Sequence, residues 1–241
     1  MKIGITERGD ASVHFNEWVP KLSSVDGAIL ITKDPQTLLD RINDFDHGKC
    51  IIHCTITGWG GTIFEPGVPD VGSSFAAYLN LAHLLGPEKV VLRIDPIILT
   101  GNGIAVNGAI NLVKFSVSRV RVSFMDMYKH VATRLERHPY ICNDLFSIYD
   151  GNFHIPLEKR KEILGELEKV SKYDIEVCGE PGMKCTGCIS FRDLKALGLK
   201  DPGTNSTSRQ RNSCACLNYK TELLTHRSPC KHNCIYCYWR G

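Results

Sequence analysis

The sequence predicts an α/β fold on a parallel sheet, open or closed into a partial barrel, and three observations carry that prediction. Short apolar runs rich in valine and isoleucine alternate with stretches of helical periodicity over the first two-thirds of the chain. Those runs are mostly continuous rather than alternating in polarity, as strands buried on both faces are. The 241 residues suffice for one large domain with a substantial core.

The expected strands, in order, are KIGIT at 2–6, GAILIT at 27–32, CIIHCTIT at 50–57, KVVLRI at 89–94, RVRVSF at 119–124 and DIEVC at 174–178. Helices are expected near 12–22, 35–43, 71–85, 103–117, 127–137 and 157–171. The last is the clearest, because Ile163, Leu164, Leu167 and Val170 recur at helical spacing among charges. Gly86-Pro87 stops the third helix just before a strand. In such sheets ligands gather beyond the carboxyl ends of the strands, so the residues closing each strand are the ones to watch. From about Gly179 the character changes: glycine, serine, asparagine and cysteine take over, and DPGTNSTSRQRNS at 201–213 reads as an irregular loop. The expected division is a β/α core over 1–178 and a cysteine-rich segment over 179–241, in which YKTELL at 219–224 supplies a closing strand.

The composition, 43% hydrophobic and 23% charged, is that of an ordinary globular chain, and a formal charge of +3 is too small to name a partner. No stretch has the apolar length of a membrane span, and MKIGITERGD lacks the pattern of a secretory signal, so the expected compartment is the cytoplasm. There, clustered cysteines point to metal or redox chemistry rather than disulfides. Only Cys50, Cys54 and Cys142 lie in the first 177 residues; the other eight lie between Cys178 and Cys237.

CKHNCIYC sets Cys230, Cys234 and Cys237 at C-x3-C-x2-C, with Tyr236 directly before the last. Three thiolates on one tight loop can hold three irons of a 4Fe–4S cubane and leave the fourth iron open. An open iron suits a substrate-binding cluster, and S-adenosylmethionine can chelate it through its amino and carboxylate groups. Reductive cleavage of the sulfonium then yields a 5′-deoxyadenosyl radical. The alternative reading of the same spacing is a zinc knuckle or a structural cluster.

PCKHNCIYCYWR resembles the cluster loop of the spore photoproduct lyase branch of radical-SAM proteins, through His232, Tyr236, Tyr238 and Arg240, with Trp239 in place of the usual alanine. That loop normally lies near the N-terminus, and here it lies at the other end of the sequence. One family has this inverted order, the bacterial domain-of-unknown-function 1848 family, and the resemblance runs along nearly the whole chain: ILITKDPQTLL at 29–39, TITGWG at 55–60, FEPGVPD at 64–70, LGPEKVVLRIDPII at 85–98, VSFMDMY at 122–128 and CAC at 214–216. TERGD at 6–10 departs from the family's pattern at Glu7 and Gly9, while Arg8 and Asp10 match. The resemblance implies a TIM-like partial barrel of radical-SAM type, circularly permuted, with the 219–224 strand beside the one at 2–6 and the cluster loop over the barrel top. It implies that Tyr236 borders the adenine of S-adenosylmethionine and that Lys33 contacts the cofactor's carboxylate; without it, Lys33 reads equally as a surface lysine.

Thr55 and Thr57, two apart, can share one strand face and donate to cofactor oxygens, or serve as β-branched strand filler. Arg93 and Asp95 also share a face, as a structural pair or as a grip on an anionic group. Ser123, Asp126 and Tyr128 point to a polar barrel top. Cys178, Cys188, Cys214 and Cys216, with Cys185 as an extra, correspond to further cysteines of the family pattern and form a candidate second 4Fe–4S cluster or zinc site. Cys50, Cys54 and Cys142 read as small core residues, and none of His53, His130, His138 and His154 has metal-ligand spacing with another histidine.

The leading expectation is therefore a radical-SAM enzyme, served by an external electron donor of flavodoxin or ferredoxin type and acting on an unidentified substrate, with nucleic acid suggested by analogy to the lyases. The second is a zinc- or cluster-stabilised nucleic-acid-binding module, to which the basic residues of 202–241 would contribute. The third is an electron-transfer or redox-sensing protein.

Overall fold

The computed structural model describes residues 1–100, 104–201, 203, 213–225 and 230–239, with the side chains of 104, 105 and 140–143 left aside. Arg209, Arg211, Arg227 and Arg240 fall outside the described residues, as does the side chain of Cys142.

Seven parallel strands form one sheet: β1 (Ile3–Ile5), β2 (Gly27–Thr32), β3 (Cys50–Thr55), β4 (Val90–Ile97), β5 (Arg119–Phe124), β6 (Ile175–Val177) and β7 (Lys220–Glu222). Their order is β6-β5-β4-β3-β2-β1-β7, so each of the first six strands lies beside its predecessor and β7 joins at the far edge, against β1. Ile3 pairs with Lys220 and Ile5 with Glu222, which is the placement expected for the 219–224 segment. Strand formation follows composition: β2 and β5 are buried along their whole lengths, and their Val and Ile side chains pack well on a pleated surface.

The helices are α1 (Phe15–Trp18), α2 (Pro35–Asp40), α3 (Val71–Leu85), α4 (Ile104–Lys114), α5 (Lys129–Leu135), α6 (Pro139–Tyr149), α7 (Leu157–Val170) and α8 (Phe191–Ala196). Their ends have identifiable causes. Asp34 and Asp70 cap α2 and α3 by accepting from Thr37 and Ser73 N–H. Gly86, at φ +87°, ends α3 where the sequence places a stop. The helix expected over 12–22 is mostly turn and 3₁₀ structure, with Pro20 in the first turn of the 3₁₀ stretch Val19–Ser24. Two helices, α6 and α8, go beyond the sequence expectation.

Alternation along the strands divides the core in two. Leu30, Ile52, Cys54, Leu92, Val120 and Val122 face α1–α7 through Trp18, Leu38, Tyr78, Val113, Leu145 and Leu167. The opposite face carries Ile3, Ile5, Ile29, Ile31, Ile51 and Val91, and it is covered by Cys188, Ile189, Leu194, Cys216, Leu217 and Tyr219 of the cysteine-rich segment. That segment is therefore part of the core rather than an appendage. Cys50 and Cys54 are fully buried, as expected of small core residues, and burial pushes the Cys50 thiol up to about 12.

Arg119, Arg121 and Glu176 alternate onto the face that the cysteine-rich segment covers. Both arginines are fully buried. Arg119 pairs with Glu176 at 2.9 Å and with Asp193 of α8 at 2.8 Å, while Arg121 pairs with Glu176. The arginine charges outweigh burial and lower the Glu176 pKa. Asp193 also closes a capping box with Ser190, so one carboxylate ends a helix and neutralises the sheet beneath it. Among the described residues, no helix is long and apolar enough to cross a membrane.

Candidate functional site

The strands end in polar residues, and the C-terminal loop sits on them. Beyond β1, buried Asp10 accepts from Ser12 N (2.8 Å), Lys33 N (2.6 Å), Thr32 Oγ1 (2.9 Å) and His232 Nε2 (3.0 Å). His232 also presents Nδ1 to the Gly67 carbonyl at 3.0 Å, and Gly67 N–H donates to the His232 carbonyl at 3.0 Å. With an acceptor at each nitrogen, the ring is held as imidazolium. Burial opposes the charge on both partners, but the bond between them wins: it raises the His232 pKa and lowers that of Asp10. Gly67 is where the backbones meet, since a Cβ there would lie 2.1 Å from the Lys231 carbonyl oxygen.

The rest of the loop is held as firmly. Ile235 N–H donates to the Phe64 carbonyl (3.1 Å), Arg134 Nε donates to the Ile235 carbonyl (2.7 Å), and Asp126 N–H donates to Tyr238 Oη (2.7 Å). Lys33, at the end of β2, donates to Glu65 Oε1 at 2.6 Å and to Tyr236 Oη at 2.8 Å, and Tyr236 donates to Glu65. Only 16% of the Lys33 side chain is exposed, so the surface-lysine reading is set aside. Burial works against its charge, while Glu65, Cys234 and Asp95 raise its pKa.

The loop holds the three sulfurs of Cys230, Cys234 and Cys237 within electrostatic reach of one another. Cys234 is buried and the other two are half-buried. Burial pushes the Cys230 thiol up to about 11 and the Cys234 thiol up to about 12; a His232 N–H on Cys230 and the Lys33 charge near Cys234 pull the other way. Those opposing groups are what a bound thiolate needs.

Thr55, at the end of β3, accepts from Arg93 Nη1 at 3.3 Å, and Arg93 forms an ion pair with Asp95. Lys33, Arg93 and Tyr236 all feel the Asp95 charge, so these residues gather at one end of the sheet. Thr57 departs from expectation. The strand stops at Thr55, and Thr57 accepts from Trp59 N–H at 3.3 Å in the turn that follows, so the two threonines do not share a strand face.

The second cysteine set is also brought together. Cys178 and Cys188 sulfurs lie 3.3 Å apart, Cys188 N–H donates to Cys216 Sγ at 3.1 Å, and the Cys214 and Cys216 thiols share a hydrogen bond. Cys185 instead accepts from Glu180 N–H at 3.2 Å. Gly187 permits the approach, since a Cβ there would meet the Cys216 Cα at 2.4 Å. Hydrogen bonds from Cys178 and then Cys216 hold the Cys188 thiol well below its ordinary range, helped by Arg121 and Arg93. Arg93 Nε and His53 Nδ1, both near these sulfurs, are buried without a hydrogen-bond partner. Sulfurs around one zinc would stand about 3.8 Å apart, given a Zn–S bond of about 2.3 Å, so this set has to open out slightly to admit an ion. Among the described residues, no group of three or more His, Cys, Asp or Glu is arranged to hold a single metal ion.

Sequence reasoning did not single out Glu65, which meets Lys33 and Tyr236. Its signal was present in FEPGVPD, but only the fold shows that this carboxylate meets Lys33 and Tyr236. It also missed the pairing of Asp126 with His154 Nδ1 at 2.8 Å. Of the tail's basic residues that the structure describes, Lys220 is buried against Glu7, while Lys231 stays 59% exposed and lies 3.5 Å from Asp34.

A family model described as Domain of unknown function (DUF1848) matches residues 11–239. No curated protein and no solved structure matches the chain.

Proposed function

The chain belongs to the DUF1848 family, and from that premise we propose that it is a radical-SAM-type enzyme on a permuted, partial β/α barrel. The observation that carries this reading is the docking of the three-cysteine loop over the carboxyl ends of β1, β2, β3 and β5, the edge where such sheets bind ligands. The strand order supports the barrel. From β1 to β6 each strand follows the last without reversal, and α1–α7 all lie on one face, as in a sheet wound once around an interior.

On this reading Cys230, Cys234 and Cys237 would hold a 4Fe–4S cluster that serves together with S-adenosylmethionine. The bound pair supplies one-electron cleavage of a carbon–sulfur bond, and with it the means to remove hydrogen from an unactivated carbon. The chain's own residues place and shield it. Lys33 is a buried cation beside Cys234, kept protonated by Glu65 and offered to a carboxylate. Tyr236, its hydroxyl fixed by Lys33 and Glu65, would border the adenine. Thr55 and the Arg93–Asp95 pair add donors and one buried charge on the neighbouring strands. The Asp10–His232 pair clamps the loop.

Cys178, Cys188, Cys214 and Cys216 are assigned to an auxiliary cluster. Arg93, Arg121 and Lys220 turn positive charge toward them, and the unpartnered Arg93 Nε suits an anionic group.

The test is anaerobic reconstitution with iron and sulfide, followed by reduction. The expected result is an EPR signal that S-adenosylmethionine shifts, and formation of 5′-deoxyadenosine that Cys234→Ala abolishes. A fully loaded, reduced protein whose signal ignores S-adenosylmethionine and that forms no 5′-deoxyadenosine refutes the reading. Zinc without iron in anaerobically purified protein does the same. Iron counts separate the two sets: about eight per chain in the parent and about four when the auxiliary cysteines are replaced.

A further inference from the structure

Beside the docked loop lies a cavity of about 560 Å³, between the turn after β5 and the cysteine-rich segment. That volume is in the range of small-molecule sites, roughly 300–1,000 Å³. Asp126, Tyr128, Phe153 and His154 line one side; Gly182 and Ser213 line the other. The rings of Tyr128 and Phe153 meet edge-on with centroids 4.8 Å apart, and Phe153 meets His154 edge-on at 4.6 Å. Tyr128 packs on Tyr238, the residue after Cys237, at 5.0 Å. The cavity thus adjoins the loop expected to carry the cluster.

Three features define what it can hold. Among the described residues, no lysine or arginine lines it, so the described wall offers no counter-charge to a phosphate or carboxylate. Among the described residues, Phe153 keeps 40% of its surface exposed, an aromatic surface at the cavity. His154 Nδ1 is engaged by buried Asp126 at 2.8 Å. In the neutral ring that bond places the proton on Nδ1 and leaves Nε2 as an acceptor.

We propose that this cavity is the substrate site and takes a neutral, flat heteroaromatic ring that stacks on Phe153 or Tyr128 and donates an N–H to His154. Its role as a substrate site rests on the radical-SAM reading; the binding itself does not. The test is therefore made on the full chain without reductant, by saturation-transfer NMR and titration with indole, the neutral N–H ring, alongside toluene and phenyl phosphate. Indole is expected to bind, and phenyl phosphate is not. Phe153→Ala, a change at a partly exposed side chain, weakens both indole and toluene. His154→Phe keeps the ring volume but removes the acceptor, and is expected to weaken indole about tenfold while leaving toluene unchanged. No indole binding, or indole binding unaffected by both substitutions, overturns the proposal. Displacement of indole by S-adenosylmethionine also overturns it, because the cavity is then the cofactor's own adenine site. Retained indole binding in a protein that fails to make 5′-deoxyadenosine would reject the radical reading alone.

Discussion

Lys33 and Glu65 form a nearly dry ion pair with Tyr236 as third member, and a pair of this kind behaves asymmetrically. Glu65→Gln strands a buried ammonium and is expected to cost about 3 kcal/mol in chemical denaturation; Lys33→Met with Glu65→Gln together is expected to cost much less. His53 gives a pH prediction. Burial first, then Arg121, Arg93 and Arg119, hold its pKa well below the ordinary value of 6.5, against a weaker opposite pull from Cys188. Its contribution is therefore full above pH 6.5 and is lost as pH falls below that, because the unfolded chain takes up a proton that the folded chain refuses. The parent is expected to lose up to about 1.4 kcal/mol per pH unit more than His53→Gln between pH 6.5 and 5; parallel stability curves would remove the assignment. At this scale the sequence singled out Lys33, Thr55, Arg93 and Asp95, which the fold gathers at one end of the sheet, because strand-end polar groups stand out against apolar runs. It did not show partners. Lys33 and Glu65 are 32 residues apart, and Asp10 and His232 are 222 apart.

Elements were legible where pattern and punctuation agreed. β2, β5 and α3 have the expected bounds, since Val- and Ile-rich runs and an Asp cap with a Gly stop leave little choice. α6 was missed although Pro139 opens it and Asp150, at φ 47°, closes it, because the preceding helix left only a three-residue gap. α8 was missed because Ser190 and Asp193, a capping box, lie among cysteines and glycines that read as loop. The element that matters most for the proposed function is the loop 230–239, held by backbone contact at Gly67. Gly67→Ala puts a methyl against the Lys231 carbonyl, so it is expected to raise hydrogen exchange throughout 230–239 while leaving β2–β5 protected. Unchanged exchange in the loop would mean that the contact at Gly67 does not hold it.

Across the whole molecule, the cysteine-rich segment does two structural jobs: it covers one face of the sheet and adds β7 to an edge. A chain truncated after residue 178 exposes Ile3, Ile5, Ile29, Ile31, Ile51 and Val91 together with the arginines of β5, and leaves β1 as a bare edge. It is expected to aggregate or to bind a hydrophobic dye strongly, whereas a soluble, monomeric fragment with native circular dichroism would show that the first 178 residues fold by themselves. The expected division at 178/179 therefore marks a change in composition inside one shared core.

The sequence by itself determined the α/β class, the strands, most of the helices and the two cysteine sets, because these rest on local periodicity, turn chemistry and spacing along the chain. Only the tertiary structure decided that Asp10 and Gly67 seat the C-terminal loop on the strand ends, and that Glu65 stands between Lys33 and Tyr236. Those are meetings of residues distant in sequence, set by where parallel strands end in space, and local pattern carries no record of them.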